Sequence, residues 1–339
     1  MPEIILTGIK PTGTPHLGNY VAAIAPALRL AEESNAALGL FFIADYHALT
    51  SEHDATRLDA QSKEVAATWL AAGLDTEQNI FYRQSRIPET FELHWILSCF
   101  TPKGLMNRAH AYKAAVAQNV EKGLSEQDKG INVGLFNYPI LMSADILLFD
   151  ADTVPVGQDQ VQHVEIAREI AGKFNHNYRK QILHLPKAQV LKSVAAIPGL
   201  DGRKMSKSYK NTIPLFAPKE KFRKLIFGIV TDSKTPTEPK ETEGSVLFAL
   251  YQSFAQPEST ERLRTAYAEG ISWADVKQAT FELIDSLVSE KRERYNYLLS
   301  HTDEVEQILL TGEAKARVRA KATLARVREV VGIRGAGFE

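Results

Sequence analysis

Apolar positions in the first half of the chain fall into short unbroken runs separated by stretches with helical spacing. Residues 4–8 open with Ile-Ile-Leu and read as a strand. Residues 38–44, Leu-Gly-Leu-Phe-Phe-Ile-Ala, form a continuous apolar run of strand length, the pattern of a strand buried on both faces. Residues 79–82, 153–157 and 183–185 add three more short strands. Between these runs, residues 17–33, 59–72, 138–149 and 160–174 carry helical spacing. Pro26 is expected to kink or break the first of these helices, and Gly73 is a natural stop for the second. The alternation predicts an α/β fold with a parallel sheet covered by helices.

Residues 88–136 are more polar and mostly helical, and read as a helical insertion between two halves of the sheet domain. After Pro218 the character changes. Helical patterns run over 219–230, 245–254, 260–268, 273–299 and 303–331, and no strand is needed. A domain boundary is therefore expected near residue 220. Residues 1–218 form the sheet domain, with a mobile Gly-punctuated basic loop at 198–208. Residues 219–339 form an all-helical domain whose last helix is free to pack back on the first.

Composition narrows the function classes. Lys plus Arg number 40 and Asp plus Glu 41, a net charge of −1, which excludes binding of nucleic acid by overall charge and requires a local basic patch instead. The single cysteine, Cys99, cannot form an internal disulfide or a multi-cysteine zinc site. Its place in the apolar stretch 95–100 predicts a small buried hydrophobe. The N-terminus has no basic flank followed by a long apolar core, and no apolar run approaches the ~20 residues of a membrane span. A cytoplasmic protein with no membrane partner is expected.

Two stretches carry candidate chemistry. Residues 8–19, Gly-Ile-Lys-Pro-Thr-Gly-Thr-Pro-His-Leu-Gly-Asn, follow the first strand and open the first helix, with Thr14 a candidate N-cap and Pro15 a candidate first helical position. In an open parallel sheet ligands bind at the carboxyl ends of strands, and a helix N-terminus there offers N–H groups to phosphate. His16 and Asn19 lie one turn apart and can face one bound group. The alternative is a glycine-rich turn with His16 on the surface. In residues 202–208, Gly-Arg-Lys-Met-Ser-Lys-Ser, Lys204 and Lys207 bracket two hydroxyl or thioether side chains after a flexible glycine. Such a loop can close on a polyphosphate and stabilise a leaving pyrophosphate. The alternative is an ordinary basic surface loop.

Together these stretches resemble the paired HIGH and KMSKS signatures of class I aminoacyl-tRNA synthetases. His16-Leu-Gly-Asn19 is similar to the first, with Asn19 where many members have a second histidine, and residues 204–208 match the second letter for letter. The resemblance implies a Rossmann-like catalytic domain and makes His16, Asn19, Lys204 and Lys207 the catalytic candidates.

The stretch between them bears on the substrate. Residues 138–149, Tyr-Pro-Ile-Leu-Met-Ser-Ala-Asp-Ile-Leu-Leu-Phe, form an apolar helix with one carboxylate. Tyr138, Met142, Asp145 and Phe149 fall on one face. A lone Asp on an apolar face is costly unless paired. Either a backbone N–H or cap satisfies it, or it waits for a donor on a ligand, for which an indole N–H is a natural partner. In the strand that follows, Val154 and Val156 share a side and with Met142 could wall a flat ring. Gly157 ends the strand, and Asp159 and Gln160 open the next helix.

This middle block, an Ala-Asp-Ile-Leu helix followed by Val-Pro-Val-Gly-Gln-Asp-Gln-Val-Gln-His, closely resembles the tryptophanyl-tRNA synthetases. The resemblance implies that Asp145 binds the indole nitrogen and that Tyr138 and Gln160 hold the α-amino group, with Met142, Val154, Val156 and His47 also at the amino acid. It implies that Lys10, Pro11, Thr12, Gly18, Asn19, Gly157, Gln158, Asp159, Ile197, Lys204, Met205, Ser206, Lys207 and Ser208 hold ATP. Gln158 stands where many members carry Glu, and Lys10 where some carry Gln. Magnesium would come with the ATP phosphates, and no protein metal site or organic prosthetic group is expected. The implied partners are L-tryptophan and tRNA(Trp), the latter meeting the helical domain, and a second copy of the chain, with the dimer interface near the insertion. Lys315, Arg317, Arg319, Lys321, Arg326 and Arg328 on the last helix are candidate RNA contacts, or else a solvated face. The nearest rival reading is a tyrosyl-tRNA synthetase. A different nucleotidyltransferase or a non-catalytic tryptophan- or RNA-binding paralogue are further alternatives.

Overall fold

The structure, a computed structural model, describes residues 2–33, 37–190 and 197–333. The first half runs β1 (Ile4–Ile9), α1 (Leu17–Asn19), α2 (Ala25–Glu33), β2 (Leu38–Ile43), α3 (Asp45–Ala48), α4 (Ala55–Ala72) and β3 (Ile80–Arg83). Helices α5 (Glu89–Phe100), α6 (Lys103–Met106), α7 (His110–Glu121) and α8 (Val133–Leu147) follow, then β4 (Thr153–Val156), α9 (Val161–Tyr178) and β5 (Lys187–Val190). The rest is helical: α10 (Lys219–Phe227), α11 (Val246–Phe254), α12 (Pro257–Glu269), α13 (Trp273–Ser300) and α14 (Thr302–Val331).

The described strands form one parallel sheet in the order β3-β2-β1-β4-β5. The chain builds outward from β1 to β3 and then returns to β4 on the other side, so the order reverses between β1 and β4. That reversal opens a crevice at the carboxyl ends of these two strands.

β2 explains the two-sided core. Phe41 and Ile43 enter one apolar cluster with Trp69 of α4 and helices α10 to α13, while Leu40 and Phe42 enter the other with α5, α8 and α9. Successive side chains of a strand point to opposite faces, so an unbroken apolar run serves both.

Helix α14 belongs to both clusters. Val305 and Leu309 pack in the first, and Ala316, Ala320 and Leu324 in the second. It therefore crosses the outer edge of the sheet, over β3, at Gly312. The approach there is so close that a Cβ on Gly312 would stand 1.8 Å from the carbonyl oxygen of Phe81. Arg83 at the end of β3 pins the crossing, with Nε 2.6 Å from Glu313 and a terminal nitrogen 2.7 Å from Glu306.

Several expectations need correction. The fifth strand is Lys187–Val190, not residues 183–185. Leu183 is buried in an irregular segment whose backbone is taken by Asn175, which accepts from its N–H at 2.9 Å and donates to its carbonyl at 2.8 Å. The first helix starts at Leu17 with His16 as its cap, not Thr14. Residues 15 and 16 remain outside the helix because Leu17 N–H donates to Ile213 and Leu215 N–H to Pro15. The break near Pro26 is a wide π-type turn at Tyr20–Ile24, just before the proline, whose nitrogen cannot complete the regular ladder. Helix α8 begins at Val133, five residues before expectation, because Asn132 accepts from Leu135 N–H at 2.7 Å, and it ends at Leu147, leaving Phe149 outside it.

Cys99 is exposed rather than buried, and Trp95, one turn earlier on α5, is 70% exposed. The buried face of α5 is Leu93, Ile96 and Leu97, which turns Trp95 and Cys99 outward. On α14, Arg317 pairs with Glu89 at 2.8 Å, Arg326 with Asp150 at 2.6 Å, and Arg328 with Glu92. Half of the six basic residues expected to contact RNA or water thus bind the sheet domain and α5 instead. Lys315 and Lys321 are exposed.

Candidate active site

The crevice between β1 and β4 deepens into a cavity of about 520 Å³. Lys10, His47, Tyr138, Met142, Asp145, Val154, Val156, Gly157 and Gln160 all line it, nine of the residues expected at the site. They come from five places: the end of β1, the α3 turn after β2, the inner face of α8, β4 and the turn after it. Gly8 admits the ring of Phe42, since a Cβ there would stand 2.5 Å from two ring carbons.

Asp145 is 2% exposed and is not a carboxylate without partners. His47 Nε2 lies 2.9 Å from its Oδ2, and the Gln84 amide donates to both oxygens at 2.9 Å. Gln84 Oε1 also accepts the backbone N–H of His47, at 3.4 Å. A carboxylate offers about four lone-pair sites, so this frame fixes Asp145 and leaves acceptor capacity for one donor from the cavity. Gln84 was not among the sequence candidates, although it directly follows β3, at the carboxyl end of a strand, where such residues are expected.

Tyr138 OH is 2.9 Å from Nε2 of the buried His163, which holds the phenol at the cavity wall. Burial raises the Tyr138 hydroxyl to a pKa of about 12, so it stays protonated and can donate. Lys10 donates to Thr50 Oγ1 at 2.8 Å, and burial lowers its pKa.

A second group gathers where the first motif meets the lysine loop. His16 and Asn19 cap α1 reciprocally: Asn19 N–H donates to His16 Nδ1 at 3.3 Å, and His16 N–H to Asn19 Oδ1 at 3.1 Å. This fixes both side chains, with His16 Nε2 and Asn19 Nδ2 on the sides not used by the cap. His16 is 6% exposed, and its pKa falls to about 4, first through burial and then through the charge of Lys207. A neutral imidazole follows. Lys207 Nζ donates to the carbonyls of Thr12 at 3.0 Å and Gly13 at 2.6 Å, and burial lowers its pKa too.

Asn211, which the sequence reading missed, organises the loop. Its Oδ1 accepts Ser206 N–H at 2.8 Å, and its Nδ2 donates to Asp201 at 2.6 Å and to the Lys204 carbonyl at 3.1 Å. Met205 and Ile197 are buried and joined by a backbone hydrogen bond of 2.9 Å, whereas Lys204 and Ser208 are exposed. Pro11 is buried, Gly18 is half-buried beside Met205, and Gln158 is exposed and does not line the cavity. The side chain of Asp159 lies outside the described residues. Among the described residues no group of three or more His, Cys, Asp or Glu could hold a metal ion, and no helix is long and apolar enough to cross a membrane.

The arrangement joins a deep, largely apolar slot with a fixed carboxylate to a mouth where a helix N-terminus, two half-buried lysines and a neutral histidine converge. Such a site suits a flat apolar ligand with one ring donor, next to a polyphosphate.

Comparison with known proteins agrees. Residues 2–289 match the family of tRNA synthetases class I (W and Y). The chain is 52% identical over 335 residues to a tryptophan–tRNA ligase of Xanthomonas campestris, covering 98% of this chain and 77% of that one. It is 49% identical over 330 residues to one of Neisseria meningitidis, covering 97% and 98%. Among solved structures it is similar to a tryptophanyl-tRNA synthetase of Campylobacter jejuni complexed with ADP and tryptophan, with a TM-score of 0.86, 42% identity, and 97% and 99% of the two chains covered.

Proposed function

Because the chain belongs to the class I tRNA synthetases for tryptophan and tyrosine, we infer that it is a tryptophan–tRNA ligase that activates L-tryptophan with ATP and transfers it to tRNA(Trp). The observation that carries the choice of amino acid is Asp145, held by His47 and Gln84 in the slot lined by Met142, Val154 and Val156. The indole N–H donates to Asp145. Phenylalanine would leave that carboxylate without its donor, and a site built for a ligand N–H rejects such an analogue by on the order of 10⁴-fold.

In the first step the tryptophan carboxylate attacks the α-phosphorus of ATP, the bond to the β-phosphate oxygen breaks, and pyrophosphate leaves. In the second, a terminal ribose hydroxyl of tRNA attacks the adenylate carbonyl and AMP leaves. Tyr138 and Gln160 orient the α-amino group. His16 and Asn19 meet the phosphates from the helix N-terminus, and Lys204 and Lys207 stabilise the charge that develops on the departing pyrophosphate. His16 acts as a neutral hydrogen-bonding group, in keeping with its lowered pKa. Magnesium would travel on the ATP phosphates, where it would neutralise part of their charge.

The helical region from residue 219 is the proposed anticodon-reading part, and exposed Lys315 and Lys321 remain candidate contacts. The proposed homodimer draws support from the outward face of α5, where Trp95 and Cys99 are exposed. Action in the cytoplasm follows from the need for ATP and tRNA.

The test is ATP–pyrophosphate exchange with each of the common amino acids separately. Exchange with tryptophan alone supports the reading. Exchange with tyrosine instead overturns the role of the Asp145 slot, and exchange with none overturns the enzymatic reading.

A further inference from the structure

Behind the α3 turn, opposite the Asp145 slot, lies a second cavity of about 480 Å³. Its walls are Ile43, Leu58, Leu298, Val305 and Leu309, drawn from β2, α4, α13 and α14, and Asp45 lines it. It sits where the C-terminal helices meet the sheet, the kind of junction where small-molecule sites form.

The charges around this cavity are unequal in how they are met. Lys63 pairs with Asp59 at 2.7 Å. Arg83 pairs with Glu306 and Glu313, and Arg86 lies 3.9 Å from Glu313. Asp45 has no cationic partner among the described residues. Its oxygens accept from the backbone N–H groups of Tyr46 and Ser85, both at 3.0 Å, and from the Ser85 hydroxyl. Burial raises its pKa, the effect of a carboxylate removed from water without a countercharge.

The two cavities share a wall built from adjacent residues. Asp45 faces the second cavity and His47 the first. Ser85 binds Asp45, while Gln84 binds Asp145. A shift of Ser85 on Asp45 thus moves the residue that fixes Asp145.

We propose that the second cavity binds a small apolar ammonium ion, its charge on Asp45 and its hydrocarbon body against Leu58, Val305 and Leu309, and that Ser85 and Gln84 couple its occupancy to the Asp145 slot. The cation supplies the countercharge Asp45 lacks, and a short apolar body matches the walls.

Benzylammonium is a suitable probe, added to the intact protein already saturated with tryptophan and followed by calorimetry. The expected result is saturable binding with a dissociation constant on the order of 1 mM. Asp45→Asn keeps the hydrogen bonds to Ser85 but not the charge, and should weaken binding about tenfold. Leu309→Trp fills the cavity and should abolish it. At about ten times its wild-type dissociation constant, benzylammonium should shift the tryptophan dissociation constant about fourfold in the wild type and less than about twofold in Asp45→Asn. Binding seen only without tryptophan, or equally strong in Asp45→Asn, would overturn the site. A tryptophan constant that does not move on saturation would overturn the coupling. None of these readouts depends on catalysis, so failure here leaves the synthetase reading intact.

Discussion

Lys207 reaches across 194 residues of sequence to donate its ammonium protons to the Gly13 carbonyl at 2.6 Å. The lysine loop is therefore docked on the turn that precedes the His16 helix, and the two halves of the phosphate site are preassembled. Replacing Lys207 with Met should lower tryptophan-dependent pyrophosphate exchange about 10²–10³-fold, the usual effect of removing one charge-stabilising donor. Tryptophan binding measured by calorimetry should be nearly unchanged, because Lys207 does not line the Asp145 cavity.

The Asp145 frame makes a separable prediction. Asp145→Ala should raise the tryptophan KM far more than the ATP KM, and equal effects would sink its role. Gln84→Leu leaves Asp145 in place but removes the donor to both its oxygens. Its tryptophan KM should rise about tenfold, the scale of a lost hydrogen bond to a charged group. A larger effect than that of Asp145→Ala would mean that Gln84 touches the substrate directly.

His16 should titrate far below an ordinary imidazole. Its folded pKa is about 4 against 6.5 for an unburied histidine. As pH falls through this window, the unfolded chain takes up a proton that the folded chain refuses, so stability declines with acidification by on the order of 3 kcal/mol. Above about pH 6.5 the contribution is flat. An NMR titration of the His16 ring should give a midpoint near 4, moving upward in Lys207→Met but stopping short of 6.5, since burial is the larger cause. A midpoint unmoved by that variant would show that the lysine charge does not reach the ring.

The α14 clamp should divide into strong and weak pairs. Glu313 is almost fully buried opposite Arg83, so Arg83→Met strands a buried carboxylate and should cost about 3 kcal/mol. Arg326 and Asp150 are both substantially exposed, and Arg326→Ala should cost less than about 1 kcal/mol. Urea unfolding of the two variants, compared at equal slope, measures the contrast.

What the sequence revealed depended on whether the signal was local. β2 was legible because both its faces are apolar, and Asp145 because one carboxylate interrupts an apolar helix. β5 was not, since Lys187–Val190 is mostly solvent-exposed and is a strand only because β4 lies beside it. The early start of α8 had a local cue in Asn132, which apolar spacing alone passes over. Gln84 and Asn211 were invisible for a different reason. Gln84 is an ordinary amide whose partner Asp145 lies 61 residues away, and Asn211 is one whose partners lie within ten residues but are gathered only by the fold of an irregular loop with no periodic pattern. The arginines of α14 misled in the opposite sense: their clustering was plain, but the acids that neutralise them lie more than 170 residues earlier.

The passage of α14 over β3 at Gly312 also sets an order of events during synthesis. Arg83 and Glu313 are 230 residues apart, and at about 5–20 residues per second a ribosome needs roughly 10–50 s to make the stretch between them. Throughout that interval β3 is the outermost strand of a growing sheet with nothing across its rim, and its free peptide groups are a template for any extended segment that meets them. The nascent chain thus stays open to mispairing well after its nucleotide-binding half has been made, and the safeguard against that arrives only once α14 has been translated.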